Sequence, residues 1–169
     1  MRIAQIRKYD ISNGPGIRAT LFVSGCTHNC EDCFNKEYQN FSFGTEMMIG
    51  EVDEFLSYAE DEKVVGINIL GGEPLQQTMD KKLTTLLHIL KLKEQTKDKP
   101  IWLWTGYKLE DIANNNDIML ILKYVDVLID GKFEKDKKDL NLRYRGSSNQ
   151  RVIDMNHFRN TGEIRKLDI

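Results

Sequence analysis

Apolar residues along this chain recur with two periods, and the alternation between them sets the fold class. Residues 2–7 and 17–25 are rich in β-branched and apolar side chains and read as strands. Asn13-Gly-Pro-Gly16 between them is turn chemistry. Residues 48–60 switch to helical spacing, with Ile49, Val52, Phe55, Leu56 and Ala59 on one stripe. Residues 63–70 form a short apolar run, a buried-strand pattern, that ends at Gly71-Gly-Glu-Pro74. Residues 76–93 carry the clearest amphipathic helix, with Leu83, Leu86, Leu87 and Leu90 on one face. A strand over 101–105 ends at Gly106, and short helices follow near 109–113 and 118–124. A strand over 125–130 ends at Gly131, residues 134–146 are charged and irregular, and 152–154 is a last short strand.

Strands alternating with helices imply βαβ units. The expected fold is α/β, an open partial (βα) barrel of about six mostly parallel strands. It occupies a single domain over residues 1–169. A closed eight-fold barrel typically takes about 250 residues and is excluded by length. In parallel architectures the C-terminal strand ends carry the site. Three predicted strands end in turns bearing Gly71, Gly106 and Gly131, and the segment holding all the cysteines also follows a strand. These segments are expected to converge on one rim.

Composition narrows the class without naming a chemistry. The chain is 40% hydrophobic and 30% charged, which is globular rather than disordered. A net charge of -2 offers no basic footprint, so no nucleic-acid partner is expected. No stretch approaches the roughly 18 apolar residues of a membrane helix, so no membrane partner is expected either. The N-terminus alternates too strongly for a signal peptide. A reducing, cytoplasmic location is the expectation, and there thiols stay free to hold metal.

Cys26, Cys30 and Cys33 are the whole cysteine complement and form one C-x3-C-x2-C loop. A disulfide framework wants an even count and a secreted context. Structural zinc usually joins two ligand pairs from separate segments. Here the fourth ligand would be His28 in the same loop, a cramped geometry, and His88 and His157 have no paired neighbour. An electron-transfer cluster normally wants a fourth cysteine. The spacing suits a loop wrapped around a [4Fe-4S] cluster with one iron left open. An open metal position marks reactivity, as it does in zinc sites.

Gly71-Gly-Glu-Pro74 reads in two ways. As a strand-to-helix turn, Pro74 fits the first helical turn and Glu73 the helix dipole. As a site, the two glycines let a ligand approach the backbone, whose carbonyls accept from an ammonium group. The cysteine loop after an early strand, followed about forty residues later by Gly-Gly-Glu-Pro, resembles the radical S-adenosylmethionine superfamily. Four further motifs narrow the resemblance to the activating proteins of anaerobic ribonucleoside-triphosphate reductase. They are Asn13-Gly-Pro-Gly-Ile-Arg18, Trp104-Thr-Gly-Tyr107, Leu128-Ile-Asp-Gly-Lys-Phe133 and Arg145-Gly-Ser-Ser-Asn-Gln-Arg151.

The resemblance implies a mechanism and a set of roles. Cys26, Cys30 and Cys33 would ligate the cluster, and S-adenosylmethionine would chelate the open iron through its amino and carboxylate groups. An electron from the cluster would cleave the sulfonium bond. The resulting 5′-deoxyadenosyl radical would take hydrogen from a glycine Cα on the large subunit of the reductase. No general base is required. Gly71 and Gly72, with Glu73, would hold the methionyl ammonium. Asp32 and Phe34 would flank the adenine, and Thr105 would face the methionyl end. The implied electron donor is reduced flavodoxin. The chain departs from the superfamily in one place: Asp32 precedes the third cysteine where an aromatic is common, and the aromatic follows as Phe34. Glu31 and Asp32 are expected to lower the cluster potential by their charge.

Other residues keep two readings. Asp130 either orients a ligand or partner at the rim or caps the following turn. Arg143, Arg145 and Arg151 either bind an acid, from the cofactor or a partner, or are solvated charge, the latter for at least two of them. Trp102 and Trp104 share one side of a strand and read as packing, as does Met47-Met48 at a helix entry. Lys135–Lys138 reads as an exposed loop, and His88 lies off the leucine stripe, facing solvent. Two competing functions remain. One keeps the cofactors and acts on another glycyl-radical enzyme or a small molecule. The other is a zinc-stabilised binding module without catalysis. A small-molecule target wants an enclosing cavity, whereas an open sheet admits the glycine-bearing loop of a large partner.

Overall fold

Two strands buried along almost their whole length, β2 (Arg18–Val23) and β4 (Gly66–Gly71), lie side by side within the sheet. The structure, a computed structural model, describes residues 1–169. The other strands are β1 (Arg2–Asp10), β3 (Thr45–Glu46), β5 (Ile101–Trp104), β6 (Val127–Asp130) and β7 (Arg151–Asp154). The helices are α1 (Ile49–Glu60), α2 (Lys82–Leu92), α3 (Leu109–Ile112), α4 (Asn116–Leu122) and α5 (Met155–Thr161). All seven strands join one open sheet in the order β3-β1-β2-β4-β5-β6-β7. No helix is long and apolar enough to cross a membrane.

The expectation of about six mostly parallel strands is corrected by this topology. Parallel pairing links only β2, β4, β5 and β6. The strands β1, β3 and β7 are added antiparallel. The reason lies in the connections. A parallel neighbour needs a crossover of a dozen residues or more, usually helical. A short turn joins β1 to β2, and only one 3-10 turn, Lys135–Lys137, lies between β6 and β7 with no α-helical crossover, so both pairs run back on themselves.

The helix expected over 76–93 starts later, at Lys82. Pro74–Gln76 forms a single 3-10 turn, and Lys81 sits at φ 54, outside helical geometry. The leucine stripe is as expected: Leu83, Leu86, Leu87 and Leu90 are all buried. The pattern did not reveal α5. Asp154 starts it by accepting from the His157 N–H at 2.9 Å, and Gly162 ends it at φ 75.

The two faces of the sheet differ in chemistry. On the helix side, Leu21, Ile67, Ile69, Leu103 and Leu128 meet the α2 leucines in a core of 26 buried residues. The other face carries an apolar cluster of only four, Trp102, Val127, Ile129 and Val152, which leaves room there for polar groups. At its base Arg18, fully buried, donates to Asn68 Oδ1 at 2.6 Å and to the carbonyl of Pro100 at 2.9 Å. Asn68 donates to Thr20 Oγ1 at 3.1 Å, and Thr20 to Asp10 at 2.8 Å. Burial pushes the Arg18 pKa down to about 10. A Cβ at Gly14 or Gly66 would fall 2.7 or 2.1 Å from the Arg18 side chain. The Asn13-Gly-Pro-Gly-Ile-Arg18 motif therefore ends in a buried polar plug built on Arg18, while Pro15 and Gly16 stay exposed. The parallel register matches Val23 with Gly71 and Trp104 with Ile129, so the ends of β2, β4, β5 and β6 share one edge.

Candidate cluster and cofactor site

The cysteine loop leaves β2 and is tied down at once. Gly25 N–H donates to the Tyr38 carbonyl at 2.8 Å, Cys26 N–H to that of Gln39 at 3.1 Å, and Glu73 N–H to that of Gly25 at 2.8 Å. Asn29 and Asp32 adopt left-handed backbone, φ 50 and 53, which folds the loop back on itself. The three thiols are half-buried and line one cavity of about 590 Å³ with Phe34, Gly71, Gly72, Glu73 and Thr105. Burial pushes the Cys26 and Cys30 thiols up, and the neighbouring thiols add to it. Metal coordination needs thiolates, which a cationic cluster stabilises. A multi-iron cluster, which takes one thiolate on each of several irons, suits three cysteines of one loop lining one cavity.

Glu73 is the hub of the wall. Its carboxylate, almost without exposure, takes four donors: Leu75 N–H at 3.0 Å and Thr105 O–H at 2.8 Å on Oε1, Gly106 N–H at 2.7 Å and His28 Nε2 at 2.9 Å on Oε2. A carboxylate has about four acceptor sites, so no oxygen is left free. The His28 ring stands edge-on to Tyr107 at 4.5 Å. A Cβ at Gly106 would meet that ring at 2.4 Å. Gln76 adds a second tie. It accepts from Thr27 N–H at 3.0 Å and donates to Thr27 Oγ1 at 2.7 Å and to the Tyr107 hydroxyl at 2.8 Å. The cysteine loop is thus pinned through Thr27 and His28 to the turns after β4 and β5. The sequence marked His28 only as a cramped fourth metal ligand; the pairing with Glu73 became visible only once the strand ends aligned.

Gly71, at φ 113, and Gly72 owe their identity to β2 and the residues just after it. A Cβ on Gly71 would lie 2.6 Å from the Val23 carbonyl oxygen, and one on Gly72 2.5 Å from that of Gly25. The Gly72 carbonyl itself receives no donor from the chain.

The segment after β6 lies across the cavity mouth. Phe133 meets Phe34 edge-on at 5.1 Å, and Lys138 Nζ stands 5.2 Å from the Phe34 ring. Lys135 pairs with Glu31 at 2.7 Å and Asp32 at 3.0 Å, and these hydrogen bonds push its own pKa up. The charge expected to depress the cluster potential is therefore partly offset. Asp32 faces Lys135 and is absent from the cavity wall, whereas Phe34 is part of it. Lys135–Lys138 is exposed but ties this segment to the cluster loop.

Asp130 and the arginines are sorted by their partners. Asp130 accepts from Leu109 N–H at 2.9 Å and Arg151 Nε at 2.8 Å, so it caps α3 and anchors β7. Arg151 also holds Glu110 through two bonds, at 2.7 and 2.6 Å. Arg143 is exposed, and Arg145 lines the cavity. A second hollow of about 380 Å³ between α1 and α2 is apolar and holds no comparable set.

Comparison with known proteins agrees with this geometry. The family model described as 4Fe-4S single cluster domain matches residues 12–153. The chain is 42% identical over 153 residues to the anaerobic ribonucleoside-triphosphate reductase-activating protein of Pasteurella multocida, covering 89% of this chain and 95% of that one. The protein of the same name from Enterobacteria phage T4 is 41% identical over 152 residues, covering 90% and 93%. That of Escherichia coli strain K12 is 38% identical over 154 residues, covering 90% and 97%. The matches span the cysteine loop, the Gly-Gly-Glu-Pro turn and all four parallel strands, and the chain belongs to the 4Fe-4S single cluster domain family and to the anaerobic ribonucleoside-triphosphate reductase-activating proteins.

Proposed function

We propose that this protein activates an anaerobic ribonucleoside-triphosphate reductase, using a [4Fe-4S] cluster and S-adenosylmethionine to place a glycyl radical on its large subunit. The observation that carries this reading is the convergence of three thiols and the Gly71-Gly72-Glu73 turn on one cavity at the sheet edge, in a chain with relatives of that name. Cluster and cofactor together supply the one-electron cleavage of the sulfonium and the hydrogen abstraction, a division of labour usual for such enzymes.

The chain's own work is binding and positioning. Cys26, Cys30 and Cys33 hold the cluster. The free Gly72 carbonyl accepts from the methionyl ammonium, with Gly71 beside it. Glu73 and Thr105 act through the wall they brace, since each is committed to hydrogen bonds within the protein. Phe34 offers its face to the adenine; Asp32 contributes by holding Lys135. The sheet works as a partial barrel within one domain. Its open side admits the glycine-bearing loop of the reductase, and reduced flavodoxin, a cytoplasmic donor, supplies the electron.

The test is anaerobic electron paramagnetic resonance. Iron–sulfide-reconstituted protein is mixed with reductant, S-adenosylmethionine and the reductase large subunit. A glycyl-radical doublet that needs every component, and that a Cys30→Ala variant fails to produce, is the expected result. Formation of 5′-deoxyadenosine without a doublet would redirect the search to another substrate. An intact reduced cluster that cleaves nothing would overturn the reading.

A further inference from the structure

For most of its length β1 is paired on one side only. It pairs with β2 from Ile3, opposite Val23, to Asp10, opposite Arg18. On its other side β3 reaches just Arg2 and Ile3, opposite Glu46 and Thr45. From Ala4 to Tyr9 no strand lies beyond it, and no loop supplies a backbone hydrogen bond to these residues. In an antiparallel pair alternate residues turn N–H and C=O toward the neighbour, so the others point outward unpaired. At about 3.4 Å per residue this leaves about 20 Å of free edge, the length of an ordinary strand.

Proteins blunt such edges with charges, bulges or a cover. Here the register slips between Ile3 and Gln5 and again between Arg7 and Asp10, and the charge is of one sign. Residues 2–9 hold Arg2, Arg7 and Lys8 and no acid, in a chain of net charge -2. A second copy added edge to edge would set Arg7 and Lys8 against the same cations of its mate, and like charges across a strand pair are destabilising. An acidic extended segment meets attraction in the same place. Lys8 is already held by Asp61 at 3.0 Å. Arg7 has looser partners, Gln5 Oε1 at 3.2 Å and Asp10 at 3.7 Å, and its side chain is 40% exposed.

Arg7 also joins this edge to the site. It lines the cavity of the three thiols, and its guanidinium lies 5.0 Å from the ring of Phe22, another lining residue. The free edge is therefore continuous with that cavity. Adding an extended chain to an open sheet edge is a recurrent mode of binding, in which main-chain hydrogen bonds give affinity and alternate side chains give specificity. We propose that β1 docks an extended, acidic segment of the reductase large subunit as an added strand, beside the cavity that takes its glycine-bearing loop. This deepens the proposed function and rests on its choice of the reductase as target.

Hydrogen–deuterium exchange read by mass spectrometry, under anaerobic conditions, reports on the edge directly. Cluster-loaded protein is compared alone and with an excess of the reductase large subunit, with complex formation checked by sedimentation. In the free protein the outward amides of residues 4–9 should exchange fast and those bonded to β2 slowly. In the complex the outward amides should slow by about 10-fold or more. Arg7→Gln, matched to wild type in iron content and melting temperature, should bind the reductase about 3- to 5-fold more weakly, the size of an exposed ion pair. Arg7→Lys should restore most of that loss. A complex in which residues 4–9 exchange as in the free protein would overturn the proposal. So would protection in the free protein that grows with its concentration, which would assign the edge to a second copy. Unchanged binding by Arg7→Gln would overturn the acidic identity of the segment. Cluster-loaded wild type that binds no reductase at all would defeat the choice of target, which separates that failure from the failure of the edge.

Discussion

At the scale of single residues, the site is organised by one carboxylate that touches three segments. Glu73 belongs to the turn after β4, Thr105 and Gly106 to the turn after β5, and His28 to the cysteine loop. Glu73→Gln keeps the shape but replaces two acceptor sites by an N–H2 group, so at least one of these segments loses its tie. Supporting residues of metal sites typically cost 10- to 100-fold in affinity or activity when changed. Glu73→Gln should therefore weaken S-adenosylmethionine binding by about 10-fold and leave less iron per chain after reconstitution. Iron analysis and equilibrium dialysis check both, and full iron with wild-type affinity would show that the hub is dispensable. Much of this site was legible from sequence: the three cysteines through their spacing, and Gly71-Gly72-Glu73 as a turn at a strand end. The saturation of Glu73 was not, because three of its four donors come from other residues far along the chain or across the turn.

At the scale of elements, the hairpin from β1 to β2 and the start of β4 share one buried cation. Arg18 fills the space in front of Gly66, and an added methyl there would press on the guanidinium at 2.1 Å. Gly66→Ala should cost about 2 kcal/mol, within the usual range for overpacking. In an Arg18→Leu background the same change should cost much less, because the obstructing group is gone. Denaturant unfolding of the two single variants and the double variant closes the cycle. Simple additivity would show that Gly66 is needed for its backbone and not for Arg18. The sequence motif pointed to a turn and to a family resemblance, not to a buried arginine. The arginine's partners, Asn68 on β4 and Pro100 just before β5, are brought alongside only by the folded sheet. The late start of α2 has a similar cause. Its leucine stripe runs as the pattern predicts, but the left-handed Lys81 interrupts helical backbone ahead of it.

At the scale of the whole molecule, carboxylates bind distant parts of the chain and make stability depend on acid. Hydrogen bonds from Arg151 hold the Glu110 carboxyl down at about 2 against an ordinary 4.5, tying α3 to β7. Arg165 likewise holds Asp154 below its usual value, tying the C-terminal segment to β7. Both native pKa values are depressed, so the unfolded chain binds protons more readily than the folded one. Their stabilisation is complete above the ordinary carboxylate values and is lost as pH falls through that range toward the folded ones. The denaturation midpoint should be flat at neutral pH and drop between about pH 4.5 and pH 2. Glu110→Gln should lower the neutral midpoint and flatten the drop. A variant with an unchanged acid profile would remove Glu110 from this account.

The sequence by itself determined the local and the covalent: where most strands and helices form, that three cysteines share one loop, and which turns end strands. These follow from periodicity, backbone freedom and spacing, all readable within a few residues. Tertiary structure alone decided which strands run parallel, because direction depends on what each connection does in space. It also decided which charges are already answered. Asp130 and Arg151 satisfy one another, Glu73 is saturated from four sides, and the buried Arg145 Nε meets no acceptor. A charge reads the same in sequence whether paired or free; only the positions of residues far apart in the chain tell the two apart.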